Sequence, residues 1–194
     1  MQKRPKKLRS RNKNCCPGDG IGIHNGLRSR ARKGVRVQIP PWAPPDMLKI
    51  RQFKLSDLLE VMEIEEVSFL KSQAYPKSYF LRYFKKYSKG FTVAESNGEI
   101  LGYMIGETKN KRGELISLAI KPEFRQKGIG EKLTNFLINL FKKEGIKGIV
   151  LNVRTKNKIA IAFYDKLGFE IVKKVKKYYL NGDDAYIMRK DLDG

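Results

Sequence analysis

The sequence predicts an α/β fold, a mixed sheet of about seven strands with about four helices on its faces. Three observations carry this. Short apolar runs of strand character recur seven times between residue 47 and the end of the chain. Four longer stretches repeat apolar residues at helical spacing, and two of them lie between strands. Turn signals separate the elements, among them Asn97-Gly98, Gly128 with Gly130, Gly145, Gly168 and Asn181-Gly182.

In chain order, "MLKIRQF" (47–53) alternates apolar and polar residues as a half-buried strand does. Ser56 and Asp57 can cap a helix through 58–67, where Leu58, Val61, Met62 and Glu65 fall at helical spacing. An irregular stretch, 68–76, leads to a second helix through "KSYFLRYFKKY" (77–87). Three strands follow at 91–96, 97–108 and 113–121, with Asn97-Gly98 as a tight-hairpin signal between the first two. "EKLTNFLINLFKKEG" (131–145) is an amphipathic helix ending at Gly145, with Lys142 and Lys143 favourably placed near its C-terminus. "GIVLNV" (148–153) reads as a buried strand and "NKIAIAFYDKLGF" (157–169) as a helix stopped by Gly168. "EIVKKVKKYYL" (170–180) and "DAYIMRKDL" (184–192) read as two closing strands around an Asn181-Gly182 turn.

The 194-residue length suits one domain with a substantial core, and the composition divides at Met47. Of the formal net charge of +21, residues 1–46 supply +10, from twelve Lys/Arg against Asp19 and Asp46. Charge of this sign attracts RNA, membranes and anionic ligands without choosing among them. No run approaches the roughly 18 apolar residues of a membrane helix. The start has cations but no apolar signal-peptide core, so the expectation is a cytoplasmic protein without a membrane partner. Cys15 and Cys16 are the two cysteines, which leaves no disulfide framework within residues 47–194.

The tail, 1–46, has too little apolar surface to offset its ordering entropy, so disorder is expected there. Gly18, Gly20 and Gly22 follow no strand and open no helix, which removes a nucleotide-binding reading. Cys15, Cys16 and His24 lack a fourth partner and the usual cysteine spacing, so no metal is expected. Two readings of the tail stand. It is a basic nucleic-acid-binding arm, or it lies upstream of the physiological start. Val35-Arg36-Val37 can be encoded by GTT-CGA-GTC, which resembles the T-arm of a transfer-RNA gene, and Trp42-Ala43-Pro44 by TGG-GCA-CCA, ending as a mature transfer RNA ends. On the second reading Met47 opens both the native protein and its first regular pattern.

"RQKGIG" (125–130) sits between a strand ending at Lys121-Pro122 and the long amphipathic helix. Gly128 and Gly130 remove side chains where a ligand must approach the backbone, and a helix start offers unpaired N–H groups and a positive dipole end. Arg125 and Lys127 add charge for a polyanion. Ile129-Gly130-Glu131 excludes a Walker A loop, which ends in Gly-Lys-Ser/Thr. On the residues alone, a phosphate cradle and a flexible strand-to-helix connection remain equal readings.

"SLAIKPEFRQKGIGEKLTNFL" followed by "LNVRTKNKIAIAFYDKLGFE" closely resembles the GCN5-related N-acetyltransferase family. The family's Arg/Gln-x-x-Gly-x-Gly/Ala loop matches Arg125, Gly128 and Gly130. Its Asn-x-x-Ala…Tyr-x-x-x-Gly-Phe helix matches Asn157, Ala160, Tyr164, Gly168 and Phe169. The resemblance covers residues 47–194, and the ending "KKYYLNGDDAYIMRKDL" is most similar to protein N-alpha-acetyltransferases of the ribosomal-protein-alanine and archaeal types.

The resemblance implies a mostly antiparallel sheet and acetyl-CoA as cosubstrate, without a metal. It implies a pyrophosphate site on the N–H groups of Gln126, Lys127, Gly128, Ile129, Gly130 and Glu131 beside Arg125. The pantetheine arm would run along Leu118, Ala119 and Ile120, with Asn157 and Tyr164 completing the site. Tyr164, of ordinary pKa near 10, is the implied acid for the leaving thiolate. The base departs from the family pattern, since Asn152 and Gln73 stand where relatives carry Glu or His. Glu114 acting through water is the nominated base. A water relay without a dedicated base also suffices for an α-amine of pKa near 8. Tyr75, Tyr178 and Tyr179 would wall an acceptor slot for protein or peptide N-termini, including nascent chains at the ribosome, served by a monomer. A lysine or small-amine acetyltransferase, and an acyl-CoA-binding module without turnover, are the alternatives.

Overall fold

The computed structural model describes residues 48–70 and 73–192, so the tail, Met47 and the readings attached to them lie outside the described residues. The elements are β1 (Lys49–Gln52), α1 (Leu58–Ser68), α2 (Lys77–Tyr87), β2 (Phe91–Ser96), β3 (Glu99–Lys109), β4 (Arg112–Ile120), α3 (Ile129–Lys143), β5 (Gly148–Arg154), α4 (Lys158–Lys166), β6 (Glu170–Val175) and β7 (Ala185–Asp191). They form one seven-stranded sheet in the order β1-β2-β3-β4-β5-β7-β6. β1 to β4 run antiparallel, as do β5, β7 and β6, and a single parallel pair, β4 with β5, joins the two halves. A parallel pair needs a crossover connection, and α3 supplies it.

The sheet buries both faces because its strands alternate two apolar sets. One face carries Leu115, Leu118, Leu151 and Val153 and packs against Leu133, Leu137 and Phe141 of α3 and Tyr164 of α4. The other carries Val93, Tyr103, Ile105, Ile116 and Ala119 under Val61 and Ile64 of α1 and Phe80 of α2. Complete burial of each such side chain contributes about 1.5–3 kcal/mol. Among the described residues no helix is long and apolar enough to cross a membrane.

Most boundaries agree with the sequence expectation, and the differences have local causes. Asn97 and Gly98 both take positive φ, as the expected tight hairpin between β2 and β3 requires. The Asp57 carboxylate reaches back to the Lys54 N–H (2.8 Å) and the Arg51 guanidinium (2.7 Å) instead of capping α1 forward. The strand expected over 170–180 ends at Val175. Lys177 takes a left-handed φ of 51°, its N–H donates to Asp184 Oδ1 at 2.9 Å, and the chain leaves the sheet there. Tyr178 and Tyr179 therefore lie in a nine-residue loop, 176–184, rather than on a strand around a two-residue turn.

Candidate active site

The parallel ladder between β4 and β5 covers only Gly113–Leu115 against Ile149–Leu151. Beyond it the two strands part, and five further residues of β4, Ile116 to Ile120, border an opening gap. The register of β3 on β4 shifts where Ile105 faces Ser117 and Gly106 faces Leu115, leaving Ile116 as an extra residue. A bulge of this kind bends a strand and increases its twist, which turns β4 away from β5. The freed lip of β4 is an edge inside the sheet, a row of backbone groups able to pair with an extended ligand.

At the open end of the gap the chain turns through Pro122–Phe124 and enters α3. Gln126 and Gly128 have φ of 61° and 77°, a left-handed pair that aims the following N–H groups outward. Lys132 N–H makes the first bond of the helix, to Gly128 O at 3.0 Å, so the amides from Gly128 to Glu131 are free of helical partners. They border a cleft of about 340 Å³. Leu118 and Ile120 of β4, Arg125, Gln126, Gly128, Ile129, Gly130 and Glu131 all line it, as the sequence reading anticipates for an anion and its apolar arm.

Phe124, Ile159, Phe163 and Lys166 line the same cleft and were not anticipated. The last three fall four and three residues apart on α4, and Ile159 is 49 % exposed, an apolar surface position that marks the face. Gly130 has a second reason to be glycine, because a Cβ there would stand 3.3 Å from Phe163 Cζ. The glycine lets α3 and α4 close on each other under the cleft.

Five anticipated residues are held by contacts of their own, and of these Arg125 also lines the cleft. The Arg125 guanidinium donates to Ile120 O (3.0 Å) and Ser68 Oγ (3.2 Å), so it braces the turn against α1. Burial holds its pKa below the ordinary arginine value, against the opposing pull of Glu123. Lys127 Nζ lies 5.0 Å from the centre of the Phe124 ring. Ala119 packs on the α1–α2 face of the sheet. Asn157 caps α4, its Oδ1 accepting from Ala160 N–H at 3.1 Å. Tyr164 is fully buried beneath the gap, its ring 5.2 Å from Phe163 and 5.6 Å from Phe169.

The anticipated acceptor tyrosines lie after α1 and in the loop after β6. Tyr75 is buried and stacks on Tyr79 with ring centres 3.8 Å apart. Gln73, two residues earlier, is buried as well. Tyr179 is buried beneath the Arg154 guanidinium, 3.8 Å from its ring, and Tyr178 packs edge-on against it. Arg154 is anchored by Asp183 at 2.8 Å and Asn181 at 3.1 Å. Asp183 is held below the ordinary carboxylate range, first by its hydrogen bond from Lys156. Tyr75 and Tyr179 thus stand on separate supports.

Glu114 opens β4 at the closed end of the gap, opposite Glu107 on β3 and level with Val150 on β5. Asn152 stands two residues further along β5, toward the open end. Glu114 lines a second cleft, about 440 Å³, with Lys109, Arg112 and Val150, and does not border the one at the head of α3. Burial, and then the neighbouring Glu107 charge, push its pKa above the ordinary carboxylate value. Among the described residues no group of three His, Cys, Asp or Glu side chains is placed to hold a metal ion.

Residues 58–169 match the acetyltransferase (GNAT) family. An uncharacterized N-acetyltransferase of Methanocaldococcus jannaschii is 40 % identical over 142 residues, 73 % of this chain and 90 % of that one. An N-alpha-acetyltransferase of Sulfurisphaera tokodaii is 32 % identical over 157 residues, covering 74 % and 93 % of the two chains. Among solved structures, Ard1 from Thermoplasma volcanium superposes with a TM-score of 0.71 at 27 % identity, over 75 % of this chain and 97 % of that one.

Proposed function

Because the chain belongs to the acetyltransferase (GNAT) family, we propose that its gap between β4 and β5 carries acetyl transfer from acetyl-CoA to the α-amine of protein N-termini. The observation that carries this is the parting of β4 from β5 with the free amides of α3 at its open end. The amides of Gly128 to Glu131 suit a pyrophosphate, reinforced by the positive end of the helix dipole. The lip from Leu118 to Ile120, with Ile159 and Phe163 opposite, suits an extended apolar arm carrying amides.

Acetyl-CoA supplies the thioester as cosubstrate. The acceptor amine attacks its carbonyl carbon, the C–S bond breaks, and the amine proton and the thiolate must both be settled. Backbone donors near Leu118 stabilise the oxyanion that forms. Tyr164, under the gap on α4, gives the thiolate its proton. Glu114 takes the amine proton through water, its raised pKa making it a stronger base near neutral pH than an ordinary carboxylate. Holding amine and thioester together supplies a large part of the acceleration. Tyr75, Tyr178 and Tyr179 wall the acceptor slot, where rings with polar tips suit a peptide backbone.

The substrates in this reading are protein N-termini, nascent chains at the ribosome among them, met by a monomer in the cytoplasm; size-exclusion chromatography and fractionation of native cells test the last two points. The relative from S. tokodaii, an N-alpha-acetyltransferase, supports the choice of α-amine. Incubation of the chain with acetyl-CoA and a library of short peptides, read by mass, tests the activity. A gain of one acetyl group on free N-termini is expected, and its absence from every peptide overturns the assignment. A second reading rests on Gln73 and Asn152, amides that cannot usefully accept a proton: a CoA-binding module without turnover. Tight binding of CoA with no acetylated product in the same assay selects it.

A further inference from the structure

Resting on the acetyltransferase reading, we infer that Glu65 is a positioning residue that ties the acceptor wall to the strand carrying the thioester site. It lies in the last turns of α1 and is 1 % exposed. A carboxylate this deeply buried persists only where donors compensate its lost hydration. The donors here come from different elements. Tyr75 N–H, from the segment that walls the acceptor slot, donates to Oε1 at 2.8 Å. The Tyr103 hydroxyl, from β3, donates to Oε2. The Tyr103 oxygen in turn lies 3.0 Å from Ser117 Oγ, and Ser117 directly precedes Leu118 on the lip of β4.

One carboxylate therefore connects α1, the Tyr75 segment and, through Tyr103, the β4 bulge. Tyr103 is fully buried, and burial together with Glu65 pushes its phenol well above the ordinary range, so it remains a donor throughout the working pH range. A second link runs the same way. Ser68, three residues after Glu65 and on the same face of α1, accepts from Arg125 of the pyrophosphate turn at 3.2 Å. The end of α1 thus touches both the acceptor wall and the two segments that hold the donor.

A buried carboxylate that served only the core would, on removal, loosen donor and acceptor binding together. A positioning residue separates them. Glu65→Gln keeps the volume but cannot accept at both oxygens, so Tyr75 or Tyr103 loses its partner. The expected result with the full chain is an acetyl-CoA Kd unchanged within about twofold while kcat/KM for the acceptor peptide falls about ten- to a hundredfold. Amide exchange at Tyr75 should quicken by a similar factor. Tyr103→Phe spares the Tyr75 bond but cuts the link to β4, and should lower kcat more than it raises peptide KM. Unchanged peptide kcat/KM in Glu65→Gln, or an equal loss of acetyl-CoA affinity, overturns the proposal. If that variant does not fold, Tyr103→Phe decides the matter by the same criteria. If the wild-type chain acetylates no peptide, the acetyltransferase reading fails instead. Amide exchange at Tyr75 in Glu65→Gln against wild type then still tests the link, and unchanged protection overturns it.

Discussion

On the β4–α3 side of the gap the cleft is lined by the helix-start amides, by small and apolar side chains, and by Arg125, Gln126 and Glu131. The proposed acceptor side, between α1 and β7, is built of aromatic rings held by polar partners: Tyr75 through Glu65, and Tyr179 through Arg154 and Asp183. The first side presents one rigid surface to a ligand part that is the same in every reaction. The second is assembled from long-range contacts, and its shape follows whichever side chains support it. Specificity should therefore be easier to alter on the acceptor side, while donor-side changes should act on all acceptors alike.

The largest effect expected from a single side chain is that of Tyr164→Phe. It preserves the packing against Phe163 and Phe169 but removes the hydroxyl, so kcat should fall about a hundredfold for every acceptor while acetyl-CoA affinity is retained. Steady-state kinetics with two unrelated peptides checks this, and a loss confined to one peptide would move Tyr164 to the acceptor side. Next comes Gly130→Val, whose branched Cβ must displace Phe163 and intrude on the cleft. Acetyl-CoA binding should weaken about ten- to a hundredfold by calorimetry, or about 1.4–2.8 kcal/mol. Full retention of affinity would remove the cradle from the account.

Glu114→Gln probes the closed end of the gap. Glu114 binds its proton more tightly in the folded than in the unfolded chain, so wild-type stability declines as pH rises from the ordinary carboxylate value through the raised one. The glutamine variant lacks this decline and should melt at a higher temperature than wild type at pH 7 but not at pH 4, by differential scanning calorimetry. Its pH–rate profile should also lose the acidic limb that the carboxylate sets. An unchanged limb leaves a water relay as the route for the amine proton. The smallest effect belongs to the turn that joins β3 to β4. Asn110 and Lys111 take φ of 51° and 60° in the turn between β3 and β4. Lys111→Gly relieves a left-handed strain of about 1–2 kcal/mol against an entropic cost of about 0.5–1 kcal/mol. A small rise in melting temperature with unaltered kinetics is the expected outcome.

The same contrast explains what the sequence revealed. The cradle depends on consecutive residues, and its turn, its glycines and its helix start could all be read from "RQKGIG" and its flanks. The role of Arg125 could not, because its partner Ser68 is remote in sequence and nothing local marks the pairing. β-propensity is strong through Tyr178 and Tyr179, yet β6 ends at Val175 because Arg154 and Asp184 draw the chain out of the sheet. Glu65 showed itself only as a polar residue at an apolar helical position, which is the trace a buried acceptor leaves in a sequence. Its purpose needed Tyr103 and Ser117 brought beside it by the sheet.

In the proposed reaction this gap joins the acetyl group of acetyl-CoA to an α-amine. One peptide bearing both a free N-terminus and an internal lysine, incubated with the chain and acetyl-CoA and sequenced by tandem mass spectrometry, tests it most directly. Acetylation of the N-terminal nitrogen with the lysine unmodified is the expected result. Acetyl-lysine beside a free N-terminus would contradict it.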